Sequence, residues 1–219
     1  MTWFVDAYTF LAKGGPVMVP LIFCSIFSLA VMAERFIKLR IAAAGVIDLA
    51  EKITALLRRG EPQRALQICG TNNGPIASML LAGLEHRKED PAIAERAMTE
   101  VATREIPDLR VRLSVLDTIV TIAPLLGLLG TVTGMIRSFH VISTKEGIST
   151  PTAITGGVAE ALIATATGLA IAIFTLVGYN YLNERVLRVI GLMEQSGAHL
   201  LRALTELKEE RDEVTALSA

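Results

Sequence analysis

Three long stretches without charged side chains dominate this sequence of 219 residues. Residues 14–33 are 20 consecutive uncharged residues, residues 118–136 are 19 more, and Glu160 is the only charged side chain in residues 147–183. A helix of about 20 apolar residues crosses the hydrocarbon core of a bilayer. Because a chain this short has too little polar surface to enclose three such helices in a soluble core, we expect all three to span a membrane.

The composition excludes two other classes of protein. Hydrophobic residues make up 52% of the chain, which is too apolar for a disordered protein. The 21 basic and 22 acidic side chains leave a formal net charge of -1, so there is no overall basic field to bind nucleic acid. Cys24 lies in an apolar run and Cys69 in a charged region, so we expect two free thiols.

Basic residues near the ends of the apolar stretches predict the orientation of the chain. Eleven Lys and Arg lie in residues 34–53, 96–112 and 184–202, against three in residues 1–13 and 137–147. Since cytoplasmic flanks carry the excess of positive charge, the N-terminus is predicted to be external and the C-terminus cytoplasmic. The first stretch is interpreted as a retained anchor, because its apolar run is longer than the core of a signal peptide.

The predicted organisation follows from these assignments. In chain order it comprises an external N-terminus (1–13), transmembrane helix 1 (14–33), a cytoplasmic helical region (34–117), transmembrane helix 2 (118–139), an external loop (140–150), transmembrane helix 3 (151–182) and a cytoplasmic C-terminal helix (183–219). The fold class is therefore predicted to be all-α, a polytopic membrane protein in which two membrane helices extend into a cytoplasmic helical domain.

Helix start and stop signals divide the cytoplasmic region. Gly60 is expected to end a helix that begins near Val46, and the pair Glu61-Pro62 to start the next one. The sequence TNNGP at Thr71–Pro75 predicts a turn.

A further helix is expected to open at Asp90-Pro91. It is predicted to pass through a kink at Pro107 and to continue directly into transmembrane helix 2.

Glu160 is the residue that most needs an explanation. If transmembrane helix 3 begins at Thr150-Pro151, Glu160 lies about 14 Å along it at ~1.5 Å per residue, near the middle of the membrane. A carboxylate there costs a few kcal/mol, and such groups usually line water or a transport path. We interpret Glu160 as a proton relay; a glutamate satisfied near an interface is the alternative.

Small and hydroxyl residues accompany this carboxylate. The Glu160 face of its helix carries small residues, so little is expected to shield the carboxylate: Gly156, Gly157, Ala164, Thr167 and Gly168. Transmembrane helix 2 has the GxxxG pair Gly130 and Gly134 together with Thr131 and Thr133, which suits close packing and hydrogen bonding across a helix seam. One carboxylate and a few hydroxyls leave a gap in a relay across ~30 Å of hydrocarbon, so another titratable group is expected from another chain.

The remaining polar residues indicate no other chemistry. His86, His140 and His199 lie in separate regions without the spacing of metal ligands, so we expect no metal site. A Gly-rich phosphate loop and a nucleophile paired with a base are both missing from the sequence. We therefore expect a protein that is not an enzyme and that has no cofactor.

Three motifs resemble a known family. The segments TIAPLLGLLGTVTGMIRSF (121–139), GGVAEALIATATGLAIAI (156–173) and YNYLNERV (179–186) resemble the MotA/TolQ/ExbB proton-channel family, specifically its three-span ExbB/TolQ branch. The resemblance implies a bacterial inner-membrane subunit, with residues 1–13 and 140–150 in the periplasm. It also implies that the transmembrane proton gradient drives work in the periplasm or at the outer membrane.

The resemblance further implies an assembly and a set of pathway residues. The subunits would form a homopentameric ring around two single-span ExbD/TolR-type subunits, whose membrane aspartate would supply the missing carboxylate, and a TonB- or TolA-like protein would receive the force. By motif, the pathway glutamate falls on Glu160 and the pathway threonines on Thr131 and Thr165. Helical counting instead aligns Thr167 with Glu160, within about 20° at ~100° per residue, so both threonines remain candidates.

The sequence departs from the family pattern at two positions. Phe174 stands where relatives often have proline, and Thr133 stands where an aromatic residue commonly follows GTV.

Two other functions remain as alternatives. A flagellar-stator relative is disfavoured because stator subunits carry four spans. A non-conducting scaffold, in which Glu160 only specifies packing, remains the second alternative.

Overall fold

The computed structural model describes residues 14–42, 46–144 and 151–217, and nearly all of these residues lie in helices. In chain order the helices are α1 (Met18–Ala42), α2 (Val46–Arg58), α3 (Pro62–Thr71), α4 (Pro75–Glu85), α5 (Pro91–Arg110), α6 (Leu113–Thr144) and α7 (Pro151–Leu217). The prediction of an all-α fold is confirmed for the described residues.

Three helical stretches are long and apolar enough to cross a membrane. They are Met18–Ala42, Pro91–His140 and Thr155–Glu213, and they contain the three predicted apolar segments. Within the most apolar part of each stretch, only 22%, 28% and 28% of the residues are buried inside the chain. Most of this apolar surface therefore faces outward, as it does in helices that contact lipid or other subunits.

The predicted start and stop signals are confirmed. The helix α2 ends at Arg58, and Gly60 follows it with φ +73°, a left-handed conformation that glycine adopts without strain. A turn separates α3 from α4 at the TNNGP sequence, as expected. Asp90 caps α5, because its side chain accepts a hydrogen bond of 3.0 Å from the backbone N–H of Ala92.

The prediction of one continuous helix from Pro91 into the second apolar segment is wrong. The helix passes Pro107 without ending and stops at Arg110. A two-residue turn follows, in which Arg112 has φ +65°, and α6 begins at Leu113. A non-glycine residue in this left-handed region cannot continue a right-handed helix, so the break lies at Val111–Arg112.

The described residues divide into two compact units. The apolar unit contains the described residues up to Glu34 together with Arg112–Tyr181, and the charged unit contains Arg35–Val111 and the described residues from Leu182 onward. The core of the apolar unit brings together side chains from α1 and the residue just before it, from α6 and from the first part of α7: Val17, Met18, Leu21, Ile119, Ala123, Ala164 and Ala172. The core residues from α7 are both alanines, so α7 contributes little side-chain volume to this core.

The charged unit is built differently. Large aliphatic side chains are completely or almost completely buried in α2, α4 and the second part of α7: Ile53, Ile76, Leu80, Leu84, Met193 and Leu200. Ion pairs lie on its surface, including Arg58 with Glu206 at 2.9 Å and Asp90 with Lys208 at 2.8 Å. Cys69 is a free, buried thiol whose pKa is raised by burial to about 11, and Cys24 is also free, as predicted.

Candidate functional site

Glycines bring the backbones of α6 and α7 into close contact. A Cβ atom on Gly134 would lie 2.9 Å from the carbonyl oxygen of Gly157, and one on Gly168 would lie 2.5 Å from that of Ala123. Larger residues would push the two helices apart at both positions. The predicted GxxxG segment therefore forms part of a helix seam, in which Ala161 and Ala164 of α7 are buried.

Glu160 lies beside this seam and is paired with an arginine of the same chain. The guanidinium Nη1 of Arg137 donates a hydrogen bond of 2.7 Å to the Glu160 carboxylate oxygen Oε1. The Glu160 side chain is only 18% exposed, whereas that of Arg137 is 51% exposed. This pair places one negative and one positive charge in a segment that is otherwise apolar.

The segment before α1 covers the same carboxylate. A Cβ atom on Gly15 would lie 2.7 Å from Cδ and 3.1 Å from Cγ of Glu160. Gly15 also has φ +73°, so glycine meets two requirements here, the backbone conformation and the close approach of the carboxylate. Three elements, the segment around Gly15, α6 and α7, therefore surround Glu160.

The three predicted threonines lie elsewhere on the same helices. Thr165 donates a hydrogen bond of 2.9 Å across the seam to the carbonyl oxygen of Gly127. Thr131 and Thr167 donate within their own helices, to the carbonyl oxygens of Leu128 and Ile163. Within the described part of the chain, no hydrogen bond joins Glu160 to any of the three threonines.

The expectation that little shields Glu160 is wrong for a single copy of the chain. The small residues Gly157, Ala164 and Gly168 contact α6 and do not leave an open face around the carboxylate. Of the small residues predicted to share this face, Gly156 is the open one, because a Cβ atom there would meet no atom within 4 Å. The shielding of the carboxylate comes from Gly15 and Arg137.

Sequence reasoning missed Arg137, which it used only as the charged end of the second apolar stretch. The positions of Arg137 and Glu160 within their helices do indicate the pairing. Arg137 lies seven residues before the end of α6, and Glu160 lies nine residues after the start of α7. Two antiparallel helices joined by a short loop bring such positions to a similar level, because both helices rise ~1.5 Å per residue.

These features define an all-helical protein with three helices long enough to cross a membrane and an ion-paired carboxylate at the seam of two of them. The chain belongs to the MotA/TolQ/ExbB proton channel family, whose sequence model matches residues 71–195. The resemblance found in the sequence motifs is thereby confirmed.

Individual relatives support the same assignment. The ExbB-like 3 biopolymer transport protein of Synechocystis sp. is 31% identical over 207 residues, covering 93% of this chain and 99% of the relative. The ExbB-like 1 protein of the same organism is 37% identical over 180 residues, covering 78% and 68%. The Tol-Pal system protein TolQ of Haemophilus influenzae is 42% identical over 91 residues, covering 42% and 40%.

Proposed function

We propose that this protein is a ring-forming subunit of a bacterial inner-membrane motor driven by the proton-motive force. The chain crosses the membrane three times, with its N-terminus in the periplasm and its C-terminus in the cytoplasm. The observation that supports the proposal most directly is the position of Glu160, a carboxylate beside the seam of two apolar helices that is paired with Arg137. Ionisable groups within membrane helices are rare, and they usually pair with one another and mark paths for ions or protons.

Glu160 is the proton-binding group of the proposed pathway, and Thr131, Thr165 and Thr167 are its hydroxyl positions. The Thr165 hydroxyl donates its hydrogen to Gly127, so its oxygen remains able to accept a hydrogen bond from water or a protonated acid. Thr131 and Thr167 are half-buried and have the same arrangement on their own helices. These residues therefore act as water-ordering positions that follow the carboxylate along the seam.

A second chain completes the pathway. One carboxylate does not bridge ~30 Å of hydrocarbon, so a single-span ExbD/TolR-type subunit supplies the next acidic group. We propose a homopentamer with two such subunits and a TonB- or TolA-like protein that receives the force. Each elementary charge that crosses about 100 mV releases about 2.3 kcal/mol, which drives one step of modest load.

The similarity to relatives favours one of two physiological roles. Relatives named as ExbB-like biopolymer transport proteins align over 78% and 93% of this chain, whereas the TolQ relatives align over 42% and 44%. We therefore propose transport of the TonB type ahead of Tol-type envelope maintenance. Complementation of strains that lack either system distinguishes the two roles.

The test of the motor function is proton flux through the complex of this chain with its single-span partner in sealed vesicles. Glu160→Gln and Glu160→Ala are expected to lower the partner-dependent flux by about a hundredfold or more, because the exchangeable proton is lost. Glu34→Gln is the matched control, since Glu34 is an ion-paired glutamate of the same unit, bound to Arg112. We expect this control to leave the flux within about twofold of the wild type.

A non-conducting scaffold predicts a different result. If the Glu160 variants assemble with the partner and conduct as the wild type does, the carboxylate serves packing only, and the motor function is wrong.

A further inference from the structure

Arg137 uses only part of its hydrogen-bonding capacity. A guanidinium group carries five N–H donors. Within the described part of the chain, its one hydrogen bond is the 2.7 Å contact from Nη1 to Glu160. The side chain is 51% exposed, so the remaining donors are accessible to an acceptor from outside the chain.

Apolar side chains flank Arg137 on α6. Ile136 and Phe139 are each 62% exposed, and the polar residues one turn away on the same helix face are Thr133 and His140. A half-exposed cation on such a face must find an acceptor or water, because hydrocarbon offers neither. The unused N–H donors of the guanidinium therefore favour a ligand that accepts hydrogen bonds, such as a carboxylate.

The direction of the side chain favours a protein ligand over a lipid headgroup. Gly157 is close to both Gly134 and Ser138, so Arg137 lies level with Gly157 across the seam. Glu160 is three residues further along α7, about 4.5 Å deeper at ~1.5 Å per residue. The guanidinium therefore extends away from the nearer end of α6, whereas an arginine that reaches for headgroups extends toward the nearer membrane surface.

We propose that Arg137 is a docking group for a carboxylate that the single-span partner brings into the membrane. This inference rests on the proposed function, because it names the contact through which the partner reaches Glu160. The arginine holds both acids at once, binding Glu160 through Nη1 and the incoming carboxylate through its unused donors. It is thus a positioning residue that brings the two proton-binding groups together.

The charges of this cluster determine how many protons accompany docking. Ionised Glu160 and Arg137 sum to zero, and a second carboxylate brings the sum to minus one. One proton taken up from water restores neutrality, and undocking of the carboxylate returns one proton. Without the arginine, two carboxylates at the same place would repel each other until one of them took up a proton.

The test compares Arg137→Gln and Arg137→Lys with a matched control, Arg112→Gln. Arg112 lies in the same unit and is also ion-paired with a glutamate, Glu34. Each variant is produced as the full complex with its single-span partner. Two quantities are measured: partner retained per assembled ring after purification in detergent, and partner-dependent proton flux in vesicles of phosphatidylcholine with or without phosphatidylglycerol. Counting partner per assembled ring keeps misfolded chains out of the comparison.

Arg137→Gln is expected to lower both partner retention and flux by about tenfold or more, because charge-assisted hydrogen bonds are lost. Arg137→Lys keeps the charge but lacks the planar fork that holds two carboxylates, so both quantities are expected to fall between those of the wild type and of Arg137→Gln. Arg112→Gln is expected to leave both within about twofold.

Two results would overturn the assignment of Arg137. The first is an Arg137→Gln complex that retains its partner and its flux within twofold of the wild type. The second is a defect that appears only in vesicles with phosphatidylglycerol, which would identify a lipid headgroup as the ligand. Wild-type complexes without partner-dependent flux would instead contradict the proposed function, and partner retention alone would then still decide the role of Arg137.

Discussion

The apolar and charged units use opposite means of packing helices. In the apolar unit, α6 and α7 approach through Gly127, Gly134 and Gly168, and many large apolar side chains face outward. In the charged unit, leucine, isoleucine and methionine side chains fill the interior, and ion pairs lie on the surface. The same chain thus contains one region held by close backbone contact and another held by buried side-chain volume.

This difference follows from the solvent expected around each unit. Lipid tails are as apolar as leucine, so burying a leucine between membrane helices releases little free energy, and close van der Waals contact dominates. In water, burial of an aliphatic side chain contributes about 1.5–3 kcal/mol. Equivalent substitutions should therefore have unequal effects in the two units.

The largest expected difference in stability between the two units comes from truncating a leucine in each of them. Leu80 is completely buried in the charged unit, so Leu80→Ala is expected to cost about 2–5 kcal/mol of unfolding free energy. Leu125 is 59% exposed in the apolar unit, and Leu125→Ala is expected to change stability by less than about 0.5 kcal/mol. Unfolding in detergent, followed by circular dichroism, measures both. Equal losses for the two variants would contradict the contrast.

Replacing a glycine is expected to destabilise the apolar unit, which the truncation of a leucine does not. In Gly168→Ala the new Cβ atom meets backbone atoms of α6 that cannot move aside, so we expect a cost of about 1–3 kcal/mol and a wider seam. Gly156→Ala, in the same helix, meets no atom within 4 Å and is expected to be neutral or to stabilise the chain by up to about 1 kcal/mol, because alanine favours a helix over glycine. Thermal unfolding of the two variants in detergent tests whether backbone contact holds the apolar unit; a neutral Gly168→Ala would show that it does not.

The smallest effect concerns the surface charges of the charged unit. The hydrogen bond from Lys208 and that from the Ala92 N–H lower the pKa of Asp90 below its ordinary value of 3.8. A lowered pKa stabilises the folded state above the unfolded value, and this contribution is lost as pH falls through the folded value. Asp90→Asn should therefore lower the melting temperature slightly at about pH 7, and this difference should shrink as the pH falls below 3.8, the ordinary pKa of aspartate. A difference that is constant with pH would assign the effect to something other than the carboxylate charge.

The sequence was sufficient where local chemistry decides the structure. Gly60 and the Asp90-Pro91 pair mark helix ends because glycine tolerates a left-handed backbone and because aspartate caps a free N–H. The break at Arg112 had no such signal, since arginine rarely adopts positive φ and Pro107 offered a more conventional site for a bend. Local propensity was therefore misleading where the chain passes from one unit to the next.

The candidate site shows the same division. Glu160 was identifiable because a single carboxylate in an uncharged stretch has no ordinary structural explanation. Its pairing with Arg137 depends on the register of two consecutive helices, and its contact with Gly15 on a segment far away in sequence, and composition encodes neither. The small residues of the seam were recognised, but the helix that they contact had to be seen.

The pairing of Arg137 with Glu160 also has a consequence for how the protein is made. If they were inserted separately, α6 and α7 would each bring an uncompensated charge into the hydrocarbon core of the membrane, at a cost of a few kcal/mol per helix. Delivered together as a hairpin, they enter as an electrically balanced unit. Biogenesis should therefore favour a nascent chain that waits at the insertion machinery until its last apolar segment has emerged from the ribosome.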